Sequence, residues 1–236
     1  MAWIEFENVD LEFPIYDARN LSLRKRIIAV ATGGVLGKLD NLPTVQALRG
    51  VSFKVRAGDA IGLIGHNGAG KSTLLRTMAG IYRPTRGRVD VQGSLSNVFE
   101  LGAGLDHEID GRQNIINLCL LNGHHYAEAV EIINEVIEFS ELGEFIDLPI
   151  HTYSSGMMLR LMFSIATVRM PDIFLLDEMF STGDQQFQRK SALRIGEIIE
   201  NAKIFVFASH DHELLRKYCN RFFTINHGVL TEVDSI

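Results

Sequence analysis

Apolar and polar residues alternate with a period of two near the start of the chain, which predicts a strand over residues 3–13 with one slip at Val9. Short apolar runs bounded by turn residues predict the remaining strands. These strands cover residues 47–55, 60–64, 87–91, 173–176 and 204–208. Strands are therefore expected toward both ends of the chain.

The middle of the chain has a helical period instead. Residues 130–137 form one apolar stripe at helical spacing, and residues 157–168 form another. Further helices are predicted over residues 22–31, 71–80 and 186–201. Because strands and helices alternate on either side of the helical stretch, we expect an α/β fold with a mostly parallel sheet.

Composition narrows the class of protein. With 236 residues, of which 46% are hydrophobic, the chain is long enough to bury a substantial core. The formal net charge of −6 argues against nucleic acid as a partner. We find neither a secretory signal nor the roughly 18 uninterrupted apolar residues of a membrane span, so a cytoplasmic location is expected. Cys119 and Cys219 lack a ligand-like spacing, which disfavours thiol or metal chemistry.

The strongest chemical motif is a G-x-x-x-x-G-K-S sequence between the predicted strand 60–64 and the predicted helix 71–80. In such a loop, glycines turn backbone N–H groups onto phosphate oxygens, the lysine meets the β- and γ-phosphates, and the serine ligates Mg²⁺. The candidate nucleotide ligands are Gly65, His66, Asn67, Gly68, Ala69, Gly70, Lys71, Ser72 and Thr73. The motif predicts a phosphate-loop NTPase core that uses ATP and Mg²⁺.

A second acidic motif ends the apolar strand 173–176. Asp177 follows the strand and is predicted to lie beside the phosphate loop, where it can hold Mg²⁺. The adjacent Glu178 is then available to orient or deprotonate the attacking water. In isolation the pair would be a solvated turn, but together with the phosphate loop it indicates ATP hydrolysis.

Three further segments complete a family pattern. Ser154, Ser155 and Gly156 lie in a Tyr-Ser-Ser-Gly-Met sequence, which resembles the Leu-Ser-Gly-Gly-Gln signature of ABC ATPases and departs from it at the tyrosine, second serine and methionine. Alone, this sequence could be a helix N-cap. Residues 181–184 resemble the family's Ser-Ala-Leu-Asp loop, and His210 matches its switch histidine. In this order the motifs resemble the ABC ATPases over nearly the whole chain.

The resemblance implies a head-to-tail homodimer in which the signature residues of one subunit close over the ATP held by the other. It further implies that Lys71, Glu178 and His210 act in catalysis, with His210 at the γ-phosphate, and that Asp184 communicates across the dimer. An aromatic residue near the N-terminus normally stacks on adenine. Phe13 and Tyr16 are both candidates, and the sequence does not decide between them.

A departure from the common pattern indicates a subfamily. Where most members have a glutamine that senses Mg²⁺, this chain has Glu100, a candidate metal ligand, in the segment 96–104. That segment, together with residues 110–115 and the signature, resembles exporters of lipopolysaccharide O-antigen, capsule and teichoic acid. The insertion at residues 17–46 resembles them too; its basic and apolar residues could face the membrane or permease, or form a solvated loop.

These resemblances lead to a specific expectation. Residues 1–95 and 171–236 should form a nucleotide-binding lobe with an N-terminal antiparallel β portion, and residues 96–170 an inserted helical lobe. The protein should hydrolyse ATP at the cytoplasmic face of the inner membrane and power a permease that exports a lipid-linked polysaccharide, first of all O-antigen. We expect no C-terminal carbohydrate-binding domain, although a trimmed chain would look the same.

Several alternatives stay open at this point. Capsule polysaccharide and teichoic acid are alternative substrates. Alternatively, the protein could be the ATPase of a small-molecule exporter. A non-transport ABC ATPase usually has two cassettes, a coiled-coil insert or basic surfaces, which are not apparent in this sequence. A binding-only regulator is disfavoured because Lys71, Ser72, Asp177, Glu178 and His210 are all present.

Overall fold

The computed structural model describes residues 1–14, 35–39, 42–98, 104–121, 125–177 and 185–236. The chain divides into two compact units. The first contains Met1–Leu95, Asp172–Glu178 and Ala202–Ile236, and the second contains Ser96–Pro171 and Met179–Asn201. Every helix in the described parts of the chain is too short or too polar to cross a lipid bilayer.

The first unit begins with an antiparallel sheet. Its strands are β1 (Trp3–Pro14), β2 (Val35–Leu39), β3 (Leu42–Arg56) and β5 (Arg86–Gln92), in the order β2-β3-β1-β5. Strand β1 pairs antiparallel with both β3 and β5. The slip predicted at Val9 corresponds to irregular register on each side of that residue, which lets Val9 stay buried.

The second sheet carries the predicted parallel arrangement. Its strands are β4 (Ala60–Ile64), β6 (Leu95–Asn97), β7 (Ile173–Asp177), β8 (Ile204–Ala208), β9 (Arg221–Asn226) and β10 (Val229–Val233), in the order β10-β9-β4-β8-β7-β6. Strand β4 is parallel to both β8 and β9, and β7 is parallel to β8. Helices α1 (Lys71–Met78) and α6 (His212–Tyr218) belong to the same unit. The predicted α/β fold with an antiparallel N-terminal portion is confirmed.

The second unit is helical. It contains α2 (Gly111–Leu121), α3 (Tyr126–Ser140), α4 (Ser155–Thr167) and α5 (Gln185–Asn201), with short 3₁₀ helices at Gly143–Asp147 and Ile150–Thr152. Ile115, Ile132 and Leu161 are buried in its core.

Two predicted helices have different outcomes. The first is α5, which the sequence predicts within the lobe of residues 171–236. In the structure it packs in the second unit, because Phe187 is buried between Phe139 and Phe163 at ring-centroid distances of 6.0 and 5.9 Å. The second is the helix predicted over residues 22–31, which lies outside the described residues.

Candidate functional site

The candidate site lies at the carboxyl ends of three neighbouring parallel strands, β4, β8 and β7. Pairing aligns Leu63 of β4 with Ala208 of β8, and Ala208 with Asp177 of β7. The phosphate-loop motif follows β4, and His210 follows β8 after a single residue. Parallel pairing therefore places these sequence motifs at one edge of the first unit, the usual position of a ligand site in such a sheet.

The phosphate loop is shaped by its glycines. Gly68 and Gly70 have φ values of 82° and 118°, a region that other residues rarely adopt. A Cβ on Gly65 would lie 2.6 Å from the carbonyl oxygen of Ile225, so a side chain is excluded there. The Ala69 N–H donates to the His66 carbonyl at 3.1 Å, which closes the turn within the loop.

Helix α1 starts directly from this loop. Gly70 occupies the N-cap and has no side chain to cap the helix, and the first turn carries no acidic residue. The leading N–H groups and the positive end of the helix dipole therefore face the loop uncompensated by a carboxylate from that turn. This arrangement favours a bound anion such as phosphate.

Lys71 folds back over the loop. Its Nζ donates to the carbonyl oxygen of Gly65 at 2.5 Å and approaches that of His66 at 3.4 Å. In the loop itself, His66 Nδ1 donates to the Asn67 carbonyl at 2.9 Å. The Lys71 ammonium group is thus held against the loop by neutral carbonyl oxygens, which the oxygens of an anionic ligand can replace.

Ser72 and Asp177 form the contact that joins the two motifs. The Ser72 hydroxyl donates to Asp177 Oδ2 at 2.7 Å, across 105 positions of sequence. Asp177 is buried, with 8% of its surface exposed. Thr73 lies one residue further along α1, half-buried, and its carbonyl accepts from the Thr77 hydroxyl at 2.8 Å.

His210 is held in place by its neighbours. The Ser209 N–H donates to the Leu63 carbonyl at 3.2 Å, which ties the end of β8 to β4. The Ser209 hydroxyl accepts from the Asp211 N–H at 2.9 Å, and Asp211 caps α6 by accepting from the Glu213 and Leu214 N–H groups. His210 itself is exposed between these two anchored residues.

Phe13, one of the two adenine-stacking candidates, is half-buried near the end of β1. Its ring meets that of Tyr82 edge to face, with centroids 5.1 Å apart. The guanidinium of Arg76 lies 6.0 Å from the centroid of the Tyr82 ring. Phe13 is therefore part of a small aromatic cluster of the first unit.

The signature residues stand at the start of α4, in the second unit. The Ser154 side chain accepts from the Met157 N–H at 3.2 Å and caps the helix, as the N-cap interpretation predicts. Ser154 and Ser155 are exposed. Before them, the Tyr153 hydroxyl donates to the Phe145 carbonyl at 2.7 Å, and burial, reinforced by Asp110 and Asp147, raises the pKa of Tyr153 to about 12.

Comparison with known proteins decides the family. The family described as ABC transporter matches residues 48–181, which are more than half of the chain. The chain belongs to the ABC transporter family. It is therefore an ABC-type ATPase, as predicted from its motifs.

Individual relatives of this ABC ATPase agree with that assignment. The O-antigen export system ATP-binding protein RfbE of Yersinia enterocolitica is 51% identical over 98% of each chain. The teichoic acids export ATP-binding protein TagH of Enterococcus faecalis is 42% identical over 81% of this chain and 42% of its own. An ATP-binding cassette, MJ0796, in a dimeric post-hydrolysis state bound to ADP and Pi, has the same fold, with a TM-score of 0.69, 18% identity and coverage of 98% and 97%.

Four predicted site residues of the ABC ATPase lie outside the described residues: Tyr16, Glu100, Glu178 and Asp184. Their roles stay predictions. In the first unit, the structure brings together Lys71, Ser72, Asp177 and the end of β8, which leads to His210. Residues 154–156 belong to the second unit.

Sequence reasoning missed one part of this ABC ATPase site. The β9–β10 hairpin packs against the phosphate loop, where Ile225 lies next to Gly65 and Gly70. The apolar residues of β9, Phe222, Phe223 and Ile225, were a signal for a strand, but the segment is short and carries no chemical motif.

Proposed function

We propose that this ABC ATPase powers export of a lipid-linked surface polysaccharide, first of all O-antigen, through a partner permease in the inner membrane. The observation that carries the catalytic part is the 2.7 Å contact between Ser72 and Asp177 beside the phosphate loop. The polysaccharide part is supported by 51% identity to the O-antigen export protein of Yersinia enterocolitica over almost the full length of both chains. The cytoplasmic face of the membrane is the location that this function requires.

Mg²⁺ fits the oxygen donors that the first unit brings together. The Ser72 hydroxyl and the buried Asp177 carboxylate are hard oxygen ligands, which this cation prefers, and they already lie in contact. These two residues would hold the cation, with Glu100 as a further candidate. When bound, Mg²⁺ would neutralise charge on the phosphate oxygens.

The residues of the chain would then divide the work of ATP hydrolysis. The loop N–H groups and the start of α1 bind the phosphates, and Lys71 exchanges its carbonyl contacts for phosphate oxygens. Glu178 orients the attacking water and accepts its proton, while His210 holds the γ-phosphate in line. Most of the barrier reduction comes from positioning and from charge stabilisation in the site.

A homodimer would complete the site. Ser154, Ser155 and Gly156 stand at an exposed helix start, so a second subunit can reach them. Beyond its chain neighbours and its own helix backbone, a Cβ on Gly156 would meet Ser154 Oγ at 3.9 Å, an ordinary contact distance, so this face of the helix start is uncrowded within the described residues. Asp184 would pass the state of one site to the other, and Phe13 or Tyr16 would stack on adenine.

We propose a permease-facing surface at the adjoining ends of α2 and α3. Large apolar side chains are exposed there, with Leu121 at 71% and Tyr126 at 62%. Val130, one helical turn after Tyr126, adds to the same patch. Clustered exposed apolar residues mark interaction sites, and an integral membrane protein is the partner that an exporter ATPase needs.

The function is tested by a chromosomal Lys71→Ala change in the parent bacterium, followed by staining of lipopolysaccharide and capsule extracts. We expect long-chain polymer to disappear from the surface and lipid-linked polymer to accumulate inside. Lys217→Ala is the matched control, because this exposed lysine contacts the Tyr218 ring and lies away from the loop in sequence.

The outcomes separate the candidate substrates. Loss of capsule or teichoic acid with intact O-antigen would reassign the polymer, and the teichoic acid relatives make this the second candidate. Unchanged surface polymer in a Lys71→Ala strain whose purified protein lacks ATPase activity would refute polysaccharide export. Small-molecule export would then be the next function to examine.

The permease-facing surface has its own test. Leu121→Ser combined with Tyr126→Ser should reduce export while the purified protein keeps its ATP hydrolysis. Leu193→Ser, at a side chain 73% exposed on α5, is the control for loss of an exposed apolar residue. Normal export by the double variant would exclude the patch as a permease contact.

A further inference from the structure

The turn between β9 and β10 is a two-residue hairpin loop made of His227 and Gly228. Both residues have positive φ, 46° and 78°, which identifies a type I′ turn. Gly228 is required, because a Cβ there would lie 2.6 Å from the Ala47 carbonyl oxygen. His227 has a positive φ, which only a few per cent of non-glycine residues adopt, with histidine, asparagine and aspartate the more frequent among them.

This turn is bonded to the phosphate loop. The Gly228 N–H donates to the carbonyl of Ala69, a loop residue, at 3.2 Å, and the Gly228 carbonyl accepts from the Arg49 N–H at 2.9 Å. The side chain of Ile225, at the end of β9, approaches the Cβ positions of Gly65 and Gly70 to 3.0 Å. The hairpin thus links the loop to β3 and packs against the glycines that shape it.

His227 adds a side-chain contact to these backbone contacts. Its ring meets that of His66 edge to face, with centroids 5.6 Å apart and planes at 63°. His66 belongs to the phosphate loop and bonds to the Asn67 carbonyl. A non-glycine residue with positive φ is a reason to look for a function, and here the His227 ring touches the loop that would hold ATP.

We propose that His227 is a positioning residue for nucleotide binding, which holds His66 and thereby the first half of the phosphate loop in the shape that binds phosphate. The inference rests on the proposed ATPase function and deepens it. ATP affinity then depends on a hairpin turn about 160 residues beyond the loop in sequence. His227 touches neither substrate nor reacting atoms in this role, so it acts through His66.

The experiment measures equilibrium binding of a fluorescent ATP analogue to the full chain, together with thermal unfolding. His227→Asn suits the type I′ turn and keeps the hairpin, but removes the ring contact. We expect a weakening of binding by about 3- to 10-fold, with an upper limit set by the energy of an aromatic edge-to-face pair, because the loop must then be ordered when ATP binds. The melting temperature should stay close to that of the wild type, because the turn favours asparagine at this position. In steady-state hydrolysis, the KM for ATP should rise by a similar factor while kcat stays close to that of the wild type.

A double-mutant cycle identifies the partner. His66→Asn should weaken binding at least as much, because it also removes the bond to the Asn67 carbonyl, and the double variant should lose no more than His66→Asn alone, because the ring contact is already absent there. His107→Asn, at an exposed histidine of the second unit, is the control and should bind as the wild type does.

Three results would overturn the inference. Unchanged affinity of His227→Asn, with a wild type that binds ATP, would refute the positioning role and leave the proposed function intact. A fall in melting temperature that parallels the loss of affinity would make the role of His227 structural. A wild type that does not bind ATP would refute the proposed function and this inference with it.

Discussion

The phosphate loop and the segment before α4 both lead into the start of a helix, but different parts of the chain hold them in place. The phosphate loop is shaped by backbone: Gly70 is the uncapped N-cap, and the Ile225 carbonyl excludes any side chain at Gly65. The start of α4 is shaped by side chains, since Ser154 caps it and the Tyr153 hydroxyl holds it to Phe145.

Further side-chain contacts support α4. Arg160 of α4 and Lys190 of α5 both pair with Glu141, at 3.3 and 2.7 Å. The Arg160 guanidinium also lies 5.0 Å from the centroid of the Phe187 ring. A backbone-shaped loop should therefore fail on addition of one methyl group, whereas a helix start held by separate side chains should lose stability in small steps.

The largest expected effect comes from adding that methyl group in each region. Gly65→Ala places Cβ 2.6 Å from a backbone oxygen, so we expect a loss of about 1–3 kcal/mol in the free energy of unfolding and loss of ATP binding. Gly156→Ala places Cβ at an ordinary contact distance of 3.9 Å from Ser154 Oγ, within a helix, and should leave the free energy of unfolding unchanged or raise it by up to about 1 kcal/mol. Chemical denaturation and ATP-analogue binding measure both quantities.

The same pair also tests the proposed dimer. A single Gly156→Ala subunit should bind ATP as the wild type does. At protein concentrations where dimers form, the variant should hydrolyse ATP more slowly than the wild type, because the methyl group occupies the space proposed for phosphate. Equal destabilisation by the two alanines would remove the distinction between a backbone-shaped loop and a side-chain-shaped helix start.

A smaller effect is expected from Tyr153→Phe. It removes one hydrogen bond, to the Phe145 carbonyl, and should cost about 1 kcal/mol in the free energy of unfolding. The pKa of Tyr153 is raised to about 12, so the native state favours the neutral phenol. The native-state stabilisation that comes from this raised pKa is fully present below pH 10, the ordinary pKa of tyrosine. It is lost as the pH rises from 10 toward 12.

Unfolding measured from pH 8 to 11.5 checks this effect. The wild type should lose stability more steeply above pH 10 than Tyr153→Phe does. Identical alkaline slopes for the two proteins would show that burial and the neighbouring aspartates do not raise the pKa of Tyr153 in the native state.

A still smaller effect is expected from Glu141→Gln. The hydrogen bond from Lys190, with the charges of Lys190 and Arg160, holds the pKa of Glu141 below its ordinary 4.5. Since 35% of the Glu141 side chain is exposed, solvent screens the pairs, and the change should cost only about 0.5–1 kcal/mol at pH 7. A lowered pKa stabilises the native state above pH 4.5, and this contribution is lost as the pH falls below that value.

The measurement is urea unfolding at pH 7 and at pH 3.5, in low and high salt. Glu141→Gln should differ from the wild type at pH 7 and low salt, and the difference should shrink at pH 3.5 or in 1 M salt. A difference that persists in acid would assign the role of Glu141 to packing.

The same contrast explains what the sequence could predict. The phosphate loop was predictable because its chemistry demands glycines at set positions between a strand and a helix, and β4 and β8 occupy the predicted residues. Parallel order followed from the alternation of strands and helices. These features depend on local sterics and on apolar runs, both of which are visible in sequence.

Other features depend on contacts between distant residues. Strand β9 is stabilised by pairing with β10 on one side and with β4 on the other, and no motif marks either β9 or β10. The place of α5 in the second unit depends on Phe187 meeting Phe139 and Phe163, which no periodicity of α5 alone reveals. Likewise, the contact of His227 with the phosphate loop exists only once the hairpin has formed.

The smallest expected effect concerns the rate at which the two cysteines are alkylated. Each unit contains one of them, so the two rates report on the two units separately. Burial raises the pKa of Cys119 in α2 to about 11 and that of Cys219 after α6 to about 12. Both should therefore resist iodoacetamide at pH 8 until their own unit opens, since the thiolate is the reactive form. Added ATP at low protein concentration should slow labelling of Cys219, whose unit contains the phosphate loop, and leave Cys119 nearly unchanged. Mass spectrometry of the labelled peptides measures both rates; equal protection of the two cysteines would show that the phosphate loop and the start of α4 are stabilised together.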